Sequence, residues 1–239
     1  EVLYDENNKV VGIATCDMGR LKDGSEGPNF ERGIELRAKQ TVFSEGCRGH
    51  LGKTLMEKFE LNSNNSPQTY GIGIKELWEV TPENSKPGSI MHTTGWPLDN
   101  ETYGGSFLYH LDDNKISIGF VIGLDYKNPY LSPYLEFQRF KHHPAIKKLL
   151  EGGRRINYGA RALNEGGVQS LPKLTFPGGM LVGCEAGFLN VPKIKGTHLA
   201  MKSGMIAAQS IFENIDKQDE ISSFQTDIKG SWLWDELYK

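Results

Sequence analysis

Apolar and polar positions alternate along the first quarter of the chain, as they do in strands with one buried face. The alternation predicts strands at residues 10–15, 31–38 and 41–43, a polar connection at 16–29, and a strand partner before a polar turn at 5–9. In the second of these strands, Ile34, Leu36 and Ala38 share one face. Residues 50–59 instead place Leu51 and Leu55 at helical spacing, which predicts a short amphipathic helix.

The pattern of apolar and polar positions changes after a polar segment at residues 62–67, which is the best candidate for a domain boundary. Four strand-like runs follow, at residues 70–80, 90–96, 103–111 and 115–124. In the last run, Ile116, Ile118, Phe120 and Ile122 occupy one face. Because the connections are short and polar, we expect an antiparallel sheet. Helices are predicted at residues 133–140 and 144–150, each of which begins at a proline.

The last third returns to a strand, a glycine-rich turn and a helix. The strand is predicted at residues 180–182, the turn at 183–187, and the helix at 199–215, with Met201, Met205, Ala208 and Phe212 along one stripe. The tail from residue 216 is polar until Trp232 and Trp234. The predicted fold class is therefore α/β (α+β), with an antiparallel-sheet domain inserted into a discontinuous outer domain.

Composition excludes several classes of protein. The 239 residues are 38% hydrophobic and 24% charged, which is ordinary for a globular protein. A net charge of −3 argues against nucleic acid as a partner. No apolar run approaches the roughly 18–20 residues that a membrane-spanning helix requires. Three scattered cysteines, Cys16, Cys47 and Cys184, form neither a disulfide framework nor a metal cluster, so we predict no metal site.

The turn at Gly183 and the helix that follows it are one candidate ligand site. Free backbone N–H groups at a helix N-terminus favour a negatively charged group, and glycines let a ligand approach the backbone closely. The alternative is a tight strand–helix turn that binds nothing. For Thr197, near the start of that helix, the alternative to a ligand contact is an N-cap.

Two further segments each allow a binding interpretation and a structural one. At residues 103–107, the pair Gly104 and Gly105 allows either a planar ligand or a β-bulge. Residues 126–150 mix aromatic and cationic side chains, which suits either an anionic membrane surface or a helix packed on the sheet with a solvated basic edge. The members of this mixture are Tyr130, Leu131, Tyr134, Phe137, Phe140, Arg139, Lys141, His142, His143, Lys147 and Lys148.

Several long motifs are similar to one family. They read PQTYGIGIKELWEV, GWPLDNETYGGSFLYHL, GLDYKNPYLSPYLEFQRFKHHP and GFLNVPKIKGTHLAMKSGMIAA, and they extend over nearly the whole chain. The sequence resembles the electron transfer flavoprotein–ubiquinone oxidoreductase family. The resemblance implies an incomplete FAD domain of the glutathione-reductase-like type with an inserted antiparallel-sheet ubiquinone-binding domain.

The resemblance also implies boundaries. It predicts the first part of the FAD domain at residues 1–66, the ubiquinone domain at 67–157, the second part of the FAD domain at 158–215, and a linker at 216–239 toward an iron–sulfur domain. The family's GxGxxG fingerprint and its cysteine cluster are not in the sequence, so we expect both outside it. The iron–sulfur ligands are therefore not among these residues, because four clustered ligands are required.

Site residues follow from the same resemblance. The positions that match the FAD site are Glu45, Gly46, Gly183, Glu185, Gly187, Asn190, Pro192, Lys193, Gly196 and Thr197. The positions that match the quinone pocket are Tyr103, Gly104, Gly105 and Phe107. Many related flavoproteins hold the ribityl chain with an Asp, where this sequence has Cys184 or Glu185. No nucleophile or hydrolase motif is present, so no catalytic side chain is predicted.

The implied activity is electron transfer from reduced electron transfer flavoprotein to ubiquinone through FAD and an iron–sulfur cluster, which links fatty-acid and amino-acid oxidation to the respiratory chain. The implied location is the matrix side of the mitochondrial inner membrane, as a peripheral (monotopic) protein. Subunits of a respiratory complex are further candidate partners. The alternative is a non-catalytic accessory subunit of an inner-membrane complex that kept this fold and lost its cofactors.

Overall fold

A computed structural model describes residues 1–238 and divides them into two units. The discontinuous unit consists of Glu1–Gln68 together with the residues from Gly166 onward, and the inserted unit consists of Thr69–Glu165. The strands are β1 (Val2–Tyr4), β2 (Val10–Ala14), β3 (Met18–Arg20), β4 (Glu26–Glu31), β5 (Glu35–Arg37), β6 (Thr41–Phe43), β7 (Tyr70–Glu79), β8 (Ile90–Thr94), β9 (Gly104–Leu111), β10 (Lys115–Gly123), β11 (Arg154–Asn164), β12 (Thr175–Phe176) and β13 (Gly179–Leu181). The helices are α1 (His50–Lys58), α2 (Pro133–Lys141), α3 (Pro144–Leu150), α4 (Gly183–Ala186), α5 (Thr197–Asn214), α6 (Ser223–Lys229) and α7 (Trp232–Tyr238).

The inserted unit is built on a five-stranded antiparallel sheet with the strand order β11-β7-β10-β9-β8. The predicted alternation on β10 is confirmed, since its even-numbered residues from Ile116 to Ile122 are buried. Phe120, in the middle of this row, stacks on Phe137 and Phe140 of α2, with ring centroids 6.4 and 5.3 Å away. Apolar burial between sheet and helices therefore forms the core of this unit.

The inserted unit ends later than the predicted boundary at residue 157. β11 pairs with β7 along most of its length, from Arg154 opposite Glu79 to Asn164 opposite Tyr70. A strand hydrogen-bonded to that sheet belongs to the same unit, which therefore runs to Glu165.

The discontinuous unit contains three small sheets. β12, β13 and β6 lie in that order, with β13 and β6 parallel, and the remaining strands form the sheets β1-β2-β5 and β3-β4. Its core gathers buried residues from both parts of the chain: Val10, Phe43, Leu55, Leu61, Leu171, Leu174, Phe176, Met180, Leu181, Val182, Ala186, Phe188, Leu199, Ala207, Ile221, Phe224, Ile228 and Leu233. The predicted strand pair β1–β2 and the predicted helices α1 and α5 are confirmed.

Three expectations for this unit were wrong. Residues 16–29 are not a simple connection, because β3 and the start of β4 form a hairpin there. The strand predicted at residues 31–38 is not half-buried. Only the short β5 forms there, with Ile34 and Leu36 60% and 49% exposed. Alternation indicates a strand, but it does not indicate whether another element covers the apolar face.

The third wrong expectation concerns the tail. Residues 216–239 were expected to be a linker, yet α6 and α7 pack into the core of the discontinuous unit. Phe224, Ile228 and Leu233 are completely buried there. These helices are short, and each contributes only a few apolar residues, which is why periodicity did not reveal them.

Candidate functional site

Two parallel strands of the discontinuous unit end side by side, and the residues after them form the first candidate site. Leu181 of β13 lies opposite Phe43 of β6, so the turns that follow begin at the same edge. Gly46 and Gly183 adopt positive φ values of 96° and 61° in these turns. Left-handed backbone favours glycine, which explains the residue type at both positions.

Glu45 closes the N-terminus of α1. The N-cap residue Gly49 has no side chain to accept a hydrogen bond. The Oε2 atom of Glu45 accepts instead from the backbone N–H groups of Leu51 and Gly52, at 2.8 and 3.0 Å. A carboxylate at a helix N-terminus is stabilised by these donors and by the helix dipole.

Glu185 points toward the same helix end and is 4% exposed. A Cβ atom built on Gly49 or on Gly52 would collide with its carboxylate. Burial, followed by the negative charge of Glu45, raises the pKa of Glu185 to about 7, although backbone N–H groups of Glu45 and Gly49 act in the opposite direction. Its Oε2 has no hydrogen-bond partner within residues 1–238. The Glu185 side chain therefore packs against α1, with its carboxyl group directed at Gly52.

α5 anchors the turn at Gly183. The backbone N–H of Gly183 donates to Oγ of Ser203 at 2.9 Å, and that hydroxyl donates to the carbonyl of Ala200 at 2.7 Å. Ser203 is completely buried. This serine, which was not predicted from the sequence, fixes the position of the turn relative to the helix. Gly187, at the other end of the turn, is the left-handed C-cap of α4, with φ of 93°.

The N-terminus of α5 matches the predicted position. Gly196 is the N-cap residue and Thr197 is the first helical residue, so the N-cap alternative for Thr197 is wrong. No side chain accepts a hydrogen bond as a cap of this 18-residue helix. Its first backbone N–H groups therefore have no side-chain cap, which is the condition for binding a polar or anionic group.

The loop before α5 is organised by Asn190. Its Oδ1 accepts from the backbone N–H of Lys193 at 3.0 Å, and its Nδ2 donates to the carbonyl of Glu236 at 2.9 Å. The carboxylate of Glu236 contacts Nε2 of His198 at 2.6 Å and Nζ of Lys193 at 3.3 Å. Asn190, Pro192 and Lys193 line a cavity of about 600 Å³ together with residues of α7. The contribution of α7 was not predicted from the sequence.

The second candidate site is in the inserted unit, at the start of β9. The register of β9 against β10 is continuous from Gly104 opposite Ile122 to Leu111 opposite Lys115, so the bulge alternative is wrong. A Cβ atom on Gly104 would collide with the carbonyl of Val121, and one on Gly105 would lie 2.5 Å from the carbonyl of Thr93. Close strand packing thus requires glycine at positions 104 and 105.

The aromatic residues of this segment lie over glycines of β10. Phe107 is opposite Gly119, and a Cβ atom on Gly119 would collide with its ring. Tyr103 lies over Gly123, whose N–H donates to the Tyr103 carbonyl at 2.9 Å. Gly119 and Gly123 are four residues apart on one strand, so both aromatics occupy the same sheet face, opposite the one that carries Phe120. That face can hold a planar apolar group between aromatic side chains.

Two carboxyl groups accompany Tyr103. The carboxyl group of Glu165 lies over Gly71, which is paired with Gly123 across the sheet. Burial, followed by the charge of Asp125, raises the pKa of Glu165 to about 7. Neither carboxyl group was predicted from the sequence. Glycine at paired positions of two strands was the available signal, because it indicates that another group approaches the backbone closely.

The aromatic and basic segment is explained mainly by packing. Phe137 and Phe140 are 0% and 3% exposed in the core of the inserted unit. Lys141 pairs with the buried Glu76 at 2.7 Å. Tyr130 and Tyr134 remain exposed. For the buried members, the prediction of a helix packed on the sheet is confirmed.

Comparisons with known proteins show which proteins the chain resembles. Residues 70–163 match the model of the family described as "ETF-QO, ubiquinone-binding". Over 248 aligned residues, the chain is 59% identical to the mitochondrial electron transfer flavoprotein-ubiquinone oxidoreductase of Sus scrofa and 58% identical to that of Homo sapiens. Over its whole length, the chain is similar to electron transfer flavoprotein–ubiquinone oxidoreductases. The alignments with these two relatives include all of this chain and 40% of each relative.

A plant protein of the same name is also similar to this chain, and the fold is shared more widely. The Arabidopsis thaliana relative, with the same name, is 54% identical over 240 residues, which are all of this chain and 38% of that protein. A geranylgeranyl bacteriochlorophyll reductase-like structure from Thermoplasma acidophilum superposes with a TM-score of 0.69 at 20% identity, over 96% of this chain and 53% of that one. A triple mutant of a flavin-dependent brominase gives 0.61 at 18%, over 98% and 54%. The predicted fold class, α/β (α+β) with an inserted antiparallel sheet, is confirmed.

Proposed function

We propose that this chain is the part of an electron transfer flavoprotein–ubiquinone oxidoreductase that holds one side of an FAD site and the ubiquinone site. The observation that supports this proposal most strongly is the 59% identity over the entire chain to a relative of that name. The matching ubiquinone-binding model coincides with the inserted unit almost residue for residue. The chain spans about 40% of the length of its curated relatives, so the complete activity belongs to this proposal.

The discontinuous unit fits an FAD group in one respect. α5 begins without a side-chain cap, so the amides after Gly196 are suited to the edge of a flavin ring and to negative charge on it. Thr197, the first residue of the helix, is the candidate for a hydroxyl contact that tunes the flavin. When bound, FAD would supply electron transfer to the quinone.

The other residues predicted to contact FAD differ in how well their positions suit that contact. Glu45 and Glu185 both face α1, so we propose a supporting role for them and no ribityl contact. Gly46 leaves open space where a side chain would be, which suits close approach by a ligand. Asn190 and Lys193 hold the loop that precedes the helix, so they would orient Gly196 and Thr197.

The quinone headgroup is proposed to lie on the sheet face that carries Tyr103 and Phe107. Gly104 and Gly105 permit the close strand packing that positions these rings, and the rings provide apolar walls. Phe107 stacks on Tyr109 with centroids 5.0 Å apart, which extends the aromatic surface along β9.

The finer parts of the proposal concern partners and location. Electron transfer flavoprotein is the proposed donor, and an iron–sulfur cluster held outside this chain is the proposed third redox group. The proposed location is the matrix side of the mitochondrial inner membrane, where the enzyme would link fatty-acid and amino-acid oxidation to the respiratory chain. Within the described residues, no helix has the length and apolar content to cross a bilayer. Exposed Tyr130 and Tyr134 are candidates for peripheral membrane contact.

The test uses the full-length natural polypeptide that contains this sequence. We expect a flavin absorption spectrum, and reduction of a soluble ubiquinone analogue when reduced electron transfer flavoprotein is the donor. Tyr103→Ala should raise KM for the quinone at least several-fold and leave flavin reduction unchanged. Tyr158→Ala, which removes a 72% exposed tyrosine of β11, is the matched control. Folded protein without flavin and without quinone reduction would instead favour the non-catalytic accessory subunit.

A further inference from the structure

A pair of glycines creates space on the quinone face of the inserted sheet. Gly71 of β7 and Gly123 of β10 lie directly opposite each other. Side chains of directly opposed residues point to the same face, about 4.5–5.5 Å apart at Cβ, so two opposed glycines leave a double gap in that face. Tyr103 borders the gap, since its Cβ would lie 3.4 Å from a Cβ atom built on Gly123.

Two carboxyl groups fill this gap. Oε1 and Oε2 of Glu165 occupy the position above Gly71, where a Cβ atom would collide with Oε1. Oδ1 of Asp125 would lie 2.9 Å from a Cβ atom on Gly123. Glu165 follows β11 and Asp125 follows β10, so two strand ends bring these groups together beside Tyr103.

We propose that Glu165 stores the proton that quinone reduction consumes and passes it to the headgroup through the hydroxyl of Tyr103. The inference rests on the proposed quinone site at residues 103–107. Tyr103 is 53% exposed and borders Gly123, while the carboxyl group of Glu165 lies over Gly71, the glycine paired with Gly123. Glu165 is thus a positioning and proton-storing residue that acts through Tyr103.

One quinone accepts two electrons, which the proposed flavin supplies, and two protons, to give the quinol. The Tyr103 O–H bond breaks as a new O–H bond forms on one quinone carbonyl oxygen. Through an intervening water, the carboxyl O–H of Glu165 then breaks and the tyrosine hydroxyl is restored. Water returns a proton to the Glu165 carboxylate and supplies the second proton of the quinol.

The surrounding charges suit this role. Asp125, from the end of β10, provides the negative charge that keeps a proton on Glu165 near neutral pH. Burial raises the pKa of Tyr103, and the charge of Glu165 raises it further once Glu165 is ionised, so the phenol stays protonated and available as a donor. Arg161 of β11, which is paired with Gly73, lies one pair further along the same face. A group whose pKa is close to the working pH transfers protons efficiently.

The experiment measures kcat for ubiquinone-analogue reduction against pH in the full-length enzyme. We expect the wild-type kcat to fall as pH rises through about 7, because Glu165 loses its proton there. Proton transfer by a placed side chain contributes roughly 10²–10⁴-fold. Because water can partly replace the carboxyl group, we expect Glu165→Gln to lower kcat about tenfold at low pH and to flatten the profile.

Two further variants separate proton transfer from structure. Glu165→Asp should keep a titrating profile and recover part of the rate. Asp125→Asn removes the charge that raises the pKa of Glu165, so the fall in kcat should move to lower pH. Glu151→Gln, an exposed change of the same chemistry at the C-cap of α3, is the matched control.

The outcomes distinguish this inference from the proposed function. A wild-type enzyme that does not reduce quinone at all would overturn the proposed function, and the proton role with it. A wild-type enzyme that reduces quinone, with a pH profile that is the same in Glu165→Gln and Asp125→Asn, would overturn the proton role alone. If Glu165→Gln does not fold, the pH at which kcat falls in Asp125→Asn decides whether the proton role is correct. Infrared spectra of the wild-type enzyme should also contain a carboxylic-acid band that disappears as pH rises. In Asp125→Asn this band should disappear at a lower pH, and an unchanged pH of disappearance would contradict the inference.

Discussion

Glu45 and Glu185 meet at the first turn of α1, where a Cβ atom on Gly49 would lie 2.5 Å from Oε2 of Glu45 and would also collide with Oε2 of Glu185. Glu45 reaches this point from the end of β6, and Glu185 reaches it from the segment after β13. Only Glu45 forms the capping hydrogen bonds to Leu51 and Gly52. The two carboxyl groups therefore share one helix N-terminus with unequal roles, because one is a hydrogen-bonded cap and the other is buried next to its charge.

The first prediction concerns stability against pH. A carboxyl group whose pKa rises from 4.5 to about 7 on folding stabilises the folded state in its protonated form. The folded state then binds more protons than the unfolded state between these values, so its stability falls as pH rises. At about 1.4 kcal/mol per pKa unit, the loss attributable to Glu185 is about 3 kcal/mol. Urea unfolding at about pH 5 and about pH 8 measures it.

Glu185→Gln should remove that loss. The variant keeps the shape of the side chain and cannot ionise, so its stability should change less than that of the wild-type protein over the same pH range. Glu213→Gln, an exposed change on α5, is the control. Equal pH dependence in the wild-type protein and in Glu185→Gln would contradict the buried, charge-coupled placement of Glu185.

The second prediction concerns the anchor of the turn. Ser203→Ala removes the acceptor of the Gly183 N–H and leaves that donor buried without a partner, which costs about 1–3 kcal/mol of unfolding free energy. Ser222→Ala is the matched control, since Ser222 is the N-cap of α6 and forms no side-chain capping bond. Thermal unfolding should separate the two variants, and similar melting temperatures would mean that the anchor contributes nothing.

The third prediction concerns the buried ion pair of the inserted unit. Burial alone would raise the pKa of Glu76, but hydrogen bonds from Lys141 and Trp78 and the charge of Lys141 lower it overall. Its stabilising contribution is therefore present above the unfolded pKa of about 4.3 and is lost as pH falls through the lower folded value. Glu76→Gln leaves Lys141, which is 12% exposed, without its anion, so we expect a loss of about 3 kcal/mol.

Glu79→Gln is the comparison for this prediction. Glu79 is on the same strand and pairs with Arg154 in solvent, where its side chain is 45% exposed. Exposed pairs contribute at most about 1 kcal/mol, so urea unfolding should show a small effect. A Glu76→Gln effect no larger than that of Glu79→Gln would show that the buried pair does not stabilise the sheet.

The fourth prediction compares two helical glycines. Replacing an exposed helix glycine by alanine usually stabilises a protein by about 0.5–1 kcal/mol. Gly204→Ala in α5 should follow this rule, since among residues 1–238 no atom outside the adjoining residues and the backbone of its own helix lies within 4 Å of the new Cβ. Gly52→Ala in α1 should instead destabilise by about 1–3 kcal/mol, because its Cβ would collide with the buried Glu185 carboxylate. Two stabilised variants would contradict the placement of Glu185.

Local pattern predicted the elements but not the pairs of groups that meet between them. The apolar row from Ile116 to Ile122 indicated a strand with one covered face, because an apolar residue at every second position of the sequence predicts burial of that face. The approach of Glu165 to Gly71 could not be read in the same way. It depends on the register of β7 against both β10 and β11, and register is a long-range property.

The resemblance to a family selected Gly183 and Thr197 but neither Ser203 nor Glu236. Ser203 is one helical serine among several, and only the fold brings its hydroxyl to the Gly183 N–H. Glu236 belongs to a helix of only seven residues, too short for a clear apolar period, yet it lies between Lys193 and His198. Side-chain contacts between distant segments are the part of the site that sequence alone did not provide.

The parallel pairing of β6 with β13 sets an order for synthesis. β6 ends at Phe43, but its partner strand becomes available only when the chain has been translated to Leu181. The inserted unit is continuous and complete at Glu165, before that partner emerges from the ribosome. Domains generally fold as units during synthesis. The inserted sheet can therefore form first, whereas residues 1–68 can complete their core only after β13 has been synthesised.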